Sequence, residues 1–252
     1  MKKIGFMIAI VAMLGLVLIL GSCSGNGLEF EKGEGGYYVV GRGSNTDADL
    51  VIPDKYFLFN VVGIGAGAFK NCTDIKSVIL PDTIESIGAN AFDSCTSLKS
   101  INTPANLDNI GSAAFLDCTA LEKFDLNDKI GTVWYNAFNG TSICEKVDGV
   151  SYLGNWAISI NSKVEEVTLR EGTTRIASNP FMNEDKQIIN LPISLKKIKI
   201  TTRYANKTIN YSGTVSQWKE ILSNDAKQSS PVNCTVICTD GTLTYRQYNP
   251  MP

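Results

Sequence analysis

Three stretches of the chain repeat one order of apolar and polar positions: "IGAGAFKNCTDIKSV" (64–78), "IGANAFDSCTSLKSI" (87–101) and "IGSAAFLDCTALEKF" (110–124). Their first residues Ile64, Ile87 and Ile110, followed by Val133, stand 23 residues apart each time, the signature of stacked units. Phe69, Phe92, Phe115 and Phe138 lie five residues into their units, and Cys72, Cys95 and Cys118 lie eight in. Beyond a small polar turn, "IKSVIL", "LKSINT" and "LEKFDL" give an L-x-x-L-x-L strand; "LPDTIESI" and "TPANLDNI" add a proline-marked turn and a second short extended segment. One such unit cannot bury its apolar side alone. Stacking does so, because neighbouring strands sit about 4.8 Å apart and each phenylalanine lands on the one before it. The three cysteines then share one interior position, each a small apolar group whose weak S–H can meet a backbone carbonyl.

The period breaks after Val133. Thr141 stands where a cysteine is expected and Cys144 where a leucine is, reading as core. The next start is Ile176, 43 residues after Val133, or one repeat plus 20 inserted residues. The insertion includes "VDGVSYLGNWAISIN", which reads as a β-hairpin around Leu153-Gly154-Asn155, either a binding element or decoration. After "VEEVTLREGTTRIASNPF" the last unit shortens, with "LPISLKKI" as its second segment. Thr214 and Gln217 form a capping-box pattern that predicts a short helix over Val215–Leu222, with Trp218 and Ile221 turned inward. "TDGT" at 239–242 predicts a hairpin turn between "NCTVIC" and "LTYRQY". Helix and hairpin together would cover the last open rung of strands.

The order "IG-x-x-AF-x-x-C-x-x-L-x-x-I-x-x-P", met in three consecutive units, resembles the BspA-like leucine-rich repeat family of bacterial surface and secreted proteins. The likeness extends over most of residues 28–246, with Ile52-Pro53 equivalent to Leu80-Pro81 at the front and "INYSGTVSQWKEI" with "CTVICTDGTLTY" at the back. The fold expected is a β-rich solenoid, a leucine-rich repeat of about five or six 23-residue coils with short turns and helical pieces, an inserted β-hairpin and a C-terminal helix-plus-hairpin cap. Its parts read as a signal peptide (1–22), a short tether (23–27), an N-terminal β lead-in (28–63), the solenoid (64–200, hairpin about 147–162) and the cap (201–252).

The N-terminus changes the picture from fold to location. Lys2 and Lys3 precede an uninterrupted apolar run, Ile4 to Leu20, that suits a signal peptide and sits at the lower edge of a membrane span. "LGSC" at 20–23 then resembles the bacterial lipobox, which implies cleavage before Cys23 and lipidation of its thiol; an uncleaved anchor or a plain secretory signal is the alternative. Ser24 in place of aspartate leans toward the outer membrane, in a surface-exposed cell-envelope protein.

Composition then removes function classes. With 252 residues, 44% of them apolar, the chain can bury a sizeable core. The formal net charge is −2; setting aside Lys2 and Lys3 from the 23 basic residues leaves 21 against 25 acidic ones, a formal −4. No basic excess exists to neutralise phosphates, so nucleic acid is not an expected partner. The chain has no histidine, which removes Ser-His-Asp and Cys-His nucleophiles and histidine-bearing zinc sites. "GIGAGAF" (63–69) lacks the third spaced glycine and following helix of a dinucleotide loop, and the repeat accounts for it. The N-x-T triplets at Asn71, Asn139, Asn206 and Asn233 read as turn chemistry. Glu165 and Glu166 are adjacent on a strand and point to opposite sides, which separates them as a catalytic pair. Cys234 and Cys238, about 13 Å apart along an extended strand, are too far apart to bond without a bend. The chain reads as no enzyme, with no cofactor and no metal.

What remains is a surface. Between the buried positions of each L-x-x-L-x-L strand, outward residues form columns: Lys76, Ser77 and Ile79; Lys99, Ser100 and Asn102; Glu122, Lys123 and Asp125; Glu165, Glu166 and Thr168; Gln187, Ile188 and Asn190. The first two rungs are basic and the next two mostly acidic, a grading that orients a protein partner or is the ordinary mixed face of a soluble solenoid. The family resemblance implies adhesion to host matrix or cell-surface proteins, or contact with other bacteria. The expected function is therefore a lipid-anchored envelope protein that binds proteins. A periplasm-facing scaffold or assembly factor is the alternative, and a carbohydrate-active protein a remote third, since the face carries no aromatic residue.

Overall fold

The computed structural model describes residues 26–127, 129–160, 164–178, 187–198, 206–222 and 233–245. Cys23 and the leader lie outside them, as do the end of the expected insertion and parts of the cap. The lead-in holds β1 (Glu29–Lys32), β2 (Tyr37–Gly41), β3 (Asp49–Val51), β4 (Lys55–Tyr56) and β5 (Phe59–Ile64). β1 pairs antiparallel with β2, β2 lies parallel to β5, and β4 folds back antiparallel on β5. The regular coils then supply β6 (Ser77–Ile79), β7 (Ser86–Ile87), β8 (Ser100–Ile101), β9 (Asn109–Ile110) and β10 (Thr132–Val133). β3, β6 and β8 form one parallel sheet, and β5, β7, β9 and β10 continue the sheet begun by β1 and β2.

The third side of each coil is the Ala-Phe turn, bonded from coil to coil without being a strand. The amides of Phe69, Phe92 and Phe115 donate to the carbonyls of Ala91, Ala114 and Ala137 in the following coil, at 2.7–2.8 Å. Such a turn needs left-handed backbone at two positions per coil. Gly67, Asn90, Ala113 and Asn136 hold one, with φ between 54° and 67°, and Asn71, Ser94, Asp117 and Gly140 hold the other, with φ between 55° and 78°. Glycine and asparagine adopt that region at least cost, which explains the polar, small residues around each Ala-Phe pair. The glycine of each "IG" answers a different demand. A Cβ on Gly88 or Gly111 would sit 2.6 or 2.4 Å from the backbone nitrogen of Ala66 or Ala89 in the coil before.

Inside, Phe69, Phe92, Phe115 and Phe138 stack with centroids 5.2, 5.4 and 5.1 Å apart and planes within 11°. Each ring is fully buried. Cys95 Sγ donates to Phe69 O at 3.1 Å and Cys118 Sγ to Phe92 O at 3.0 Å. The hydrogen bond with Cys118, with burial behind it, pushes the Cys95 thiol well above the ordinary range. Cys72 departs from the interior position expected of it. It opens the column with no cysteine coil before it, and is only half-buried.

At the broken period the chain makes a meander of β11 (Glu145–Val147), β12 (Val150–Leu153) and β13 (Trp156–Ile160). The hairpin around Gly154-Asn155 is present, and Asp148-Gly149, both with positive φ, turn a second one before it. β13 then pairs parallel with a later strand, so it is a rung of the solenoid. After β14 (Glu166–Thr168) comes β15 (Arg175–Ile176), with Trp156 opposite Arg175 and Ala157 opposite Ile176. Ala177 N donates to Ala157 O at 2.9 Å, as Gly111 N does to Ile87 O, so Ala157 holds the place of Ile110 and Val133. β13 thus adds a rung on that side. On the Ala-Phe side, Ser178 N donates to Val133 O at 2.7 Å and Tyr135 N to Ser178 O at 2.9 Å. There the coil of Ile176 follows that of Val133 directly, as one repeat with an insertion does, and the solenoid makes about seven turns.

The meander also joins two cores. Leu153, Trp156 and Ile158 pack into the first, with the phenylalanine column. Val150, Tyr152, Ala157 and Ile160 pack into the second, with Val167, Ile189, Ile209 and Trp218. Around this second core, β14, β16 (Ile188–Leu191), β17 (Thr208–Tyr211) and β18 (Cys234–Cys238) run parallel, and β19 (Gly241–Tyr245) returns antiparallel. Between β17 and β18, helix α1 (Val215–Ile221) starts with the expected box: Gln217 N donates to Thr214 Oγ1 at 3.2 Å, and Thr214 N to Gln217 Oε1 at 2.9 Å. Trp218 is buried and its Nε1 donates to the Tyr245 hydroxyl at 3.0 Å, while Ile221 is half-buried. Cys234 and Cys238 both face the core, and none of the six described cysteines forms a disulfide.

Candidate binding face

The L-x-x-L-x-L strands do line one side, and their alternation sets what reaches solvent. In β6, Val78 is buried between outward Ser77 and Ile79, and Ile75 and Leu80 complete the inward set. Lys76 and Lys99 are exposed and successive, since Lys99 N donates to Lys76 O at 2.8 Å; Glu122 N does the same to Lys99 O at 3.0 Å. Ser77 pairs with Ser100, and Ser100 bridges to Lys123. Asp125 is exposed beside them. Asn102 is exposed, and its amide bonds back to the preceding coil, its Nδ2 donating to Leu80 O at 2.8 Å and its Oδ1 accepting from Leu80 N at 2.7 Å.

This block does not run on into the next. The rung due after Glu122–Asp125 is β11, which pairs with β12 instead. Cys144, in the leucine position, packs only partly against the first core, and Val147 turns to the second. The face is therefore two blocks, three strands with β3 in front and five strands behind. In the second, Glu165, Glu166 and Thr168 are exposed and Ile188 is 39% exposed. Asn190 is half-buried: its Nδ2 donates to Glu166 Oε1 at 2.8 Å and Thr168 Oγ1 at 2.9 Å, and its Oδ1 accepts from Asn210 Nδ2 at 2.8 Å. Gln187 is not an outward residue. It is buried, with its amide donating to Val164 O at 2.8 Å, so the side chain closes the gap between coils. Glu165, Gln187, Ile188, Asn206 and Thr208 line a shallow depression of about 380 Å³.

The sequence columns stopped short at both ends. β3 adds Asp49 and Val51 opposite Ser77 and Ile79, and the Ser77 hydroxyl donates to Asp49 Oδ1 at 2.6 Å. Val51 and Ile79, 47% and 57% exposed, make an apolar spot beside the lysines. Thr208, Asn210, Thr235 and Ile237 extend the far block across β17 and β18. The equivalence of Ile52-Pro53 with Leu80-Pro81 was the signal for Asp49 and Val51. At the N-terminal corner, Arg42 pairs with Asp74 at 2.5 Å and its hydrogen bond holds that carboxyl below the usual carboxylate range. Burial pushes the neighbouring Cys72 thiol up.

These features define a parallel-stranded repeat solenoid whose strand side presents a mixed charged and polar face. The sequence matches the family profile described as "BspA type Leucine rich repeat region", in six copies, over residues 51–149 and 141–211. The chain belongs to that family of bacterial cell-surface repeat proteins, which are typically non-catalytic scaffolds. Among solved structures it is similar to a leucine-rich repeat protein from Bacteroides capillosus (26% identity, 46% of this chain and 89% of that one, TM-score 0.41). It is similar also to the T. pallidum leucine rich repeat protein (18% identity, 80% and 91%, TM-score 0.46). A leucine rich cell surface protein from Faecalibacterium prausnitzii matches at 16% identity over 79% and 96%, TM-score 0.34. No curated protein matches the sequence. Among the described residues no helix is long and apolar enough to cross a membrane.

Proposed function

We propose that this chain is a non-enzymatic envelope lipoprotein, held through Cys23 at the outer surface, whose strand face binds a protein on a host or neighbouring cell. The observation that carries the reading is the first block of that face. Lys76 and Lys99 stand one above the other beside the exposed Val51 and Ile79, so a positive column borders an apolar spot. A buried apolar centre with a charged rim is the usual make-up of a protein interface. The second block, with Glu165 and Glu166, offers the opposite sign on the same side and fixes a partner's orientation.

Protease treatment of intact cells tests location, and adhesion of the same cells to immobilised matrix proteins tests binding. Digestion of the chain is expected, together with adhesion that falls at least tenfold in the double variant Lys76→Glu, Lys99→Glu, about 1.4 kcal/mol. Protection on intact cells with digestion after lysis would favour a periplasmic scaffold, and unchanged adhesion in the double variant would remove this face from the contact.

A further inference from the structure

The β4–β5 hairpin carries an apolar tip that nothing in the repeat requires. Tyr56 pairs with Phe59, leaving Phe57 and Leu58 as a two-residue turn. Phe57 has φ +54°, a region that costs a bulky residue energy and that glycine or asparagine would occupy more easily. Leu58 is 88% exposed, with Phe57 at 53% and Phe59 at 52%. The tip stands on a platform of rings. Phe30 stacks on Tyr56 at 4.2 Å, and Tyr37 meets Tyr56 at 5.0 Å and Phe59 at 5.9 Å. Phe57 meets Tyr56 edge-on at 4.6 Å. Lys32 Nζ lies 5.6 Å over the Phe59 ring, and exposed Lys55 precedes Tyr56. Strand alternation puts Phe30 and Lys32 on one side of β1 and Glu29 and Glu31 on the other.

We propose that Phe57, Leu58 and Phe59 form a wedge that dips into the interfacial layer of a lipid bilayer beside the N-terminal anchor. The inference rests on the membrane-attachment reading above. Three observations favour lipid over protein as the occupant. The tip is convex and three residues wide, far short of the roughly 800 Å² per partner that a stable protein interface buries. Aromatic rings with lysines at their edge are the chemistry of the membrane–water interface, where rings sit at headgroup level and lysine stems extend toward phosphates. The third is position. The tip lies against the sheet's outermost strand, β1, which follows directly on the tether: Phe30 and Lys32 of that strand pack on Tyr56 and Phe59 at the base of the tip. Seating the wedge would hold the lead-in edge of the solenoid on the membrane and leave the strand blocks beyond it facing away.

The test uses the full chain reconstituted in phosphatidylethanolamine–phosphatidylglycerol vesicles whose acyl chains carry bromine, a contact quencher of tryptophan. Leu58→Trp and, on the strand face, Ile79→Trp are compared with wild type. Both positions are exposed, so neither substitution disturbs packing. The emission added by Leu58→Trp is expected to shift to the blue and to lose most of its intensity in brominated vesicles, while that added by Ile79→Trp is unchanged. Equal, unquenched emission from both in chains that float with the vesicles overturns the wedge and leaves the anchor standing. Failure of the wild-type chain to float overturns the attachment reading and the wedge with it. A blue shift that follows protein concentration, without bromine quenching, assigns the tip to a second copy of the chain and overturns the lipid assignment.

Discussion

The first half of the solenoid repeats an aromatic column from coil to coil, and the second half repeats its strands around an aliphatic one. Phe92 and Phe115 lie 5.4 Å apart with planes 5° from parallel, because the coils that carry them are 23 residues long and equivalent at each position. Beyond Val133, Tyr211 meets Trp218 at a tilt of 57°, and what repeats from rung to rung is the buried aliphatic series Val167, Ile189, Ile209 and Val236. Yet β14, β16, β17 and β18 pair in register as β3, β6 and β8 do. Parallel strand pairing uses groups that every residue except proline carries. A phenylalanine column gives uniform ring geometry; the backbone ladder survives without it, provided each coil still fills its own interior.

The comparison breaks hardest at the two cores. Phe115 touches Phe92, Phe138 and Phe124, so Phe115→Ala leaves a cavity against three rings and is expected to cost about 3–5 kcal/mol in urea unfolding. Trp218→Ala in the second core is expected to cost a similar amount and to strip the Tyr245 hydroxyl of its donor. Because β12 and β13 have one side chain set in each core, either variant should lower one shared transition. Two separate transitions, with Phe115→Ala moving only one of them, would show that the meander divides the molecule instead of joining it.

The difference between the halves is also why the sequence was legible unevenly. The phenylalanine column, the Cys95 and Cys118 positions, the helix cap at Thr214 and the turn before Gly241 all rest on local spacing or local chemistry. The division of the strand face does not. Cys144 and Val147 still occupy apolar positions at the right spacing, and only the competing antiparallel partner β12 draws Glu145–Val147 away. Gln187 fails for a related reason, since a polar residue at an outward position was read as solvated while its amide is long enough to reach Val164 O. In the candidate face, the exposed charges at Lys76, Lys99, Glu122, Glu165 and Glu166 were readable from alternation. The bonding of the exposed Asn102 back to the preceding coil was not, because it depends on the Leu80 backbone there.

The two kinds of core cysteine sharpen the contrast at a smaller scale. Cys95 donates to a backbone carbonyl within a regular ladder, whereas Cys234, on β18, is raised by burial alone, to about 11. In the unfolded chain its thiol ionises near 9.0, so the folded state keeps the proton that the unfolded state releases. Stability from this thiol is full below pH 9 and is lost as pH rises from 9 through 11. Urea unfolding across that window is expected to show a decline that Cys234→Ala reduces; an identical decline in the variant would trace the alkaline loss to other groups.

The smallest effect tests the turn column itself. At the left-handed position that opens each Ala-Phe turn, the coils carry Gly67, Asn90, Ala113 and Asn136, and only alanine lacks a reason to be there. Its φ of 54° places Cβ against the following carbonyl, a cost of about 1–2 kcal/mol for an ordinary residue that asparagine lowers. The position is half-exposed in this coil and in those of Asn90 and Asn136, so the larger side chain has the same room. Ala113→Asn should therefore stabilise the chain by about 0.5–1 kcal/mol without altering the slope of the urea transition. An unchanged or lower midpoint would mean that the coil-to-coil bonds of the turn, Ala113 N to Tyr135 O at 3.3 Å among them, already hold this backbone at no net strain.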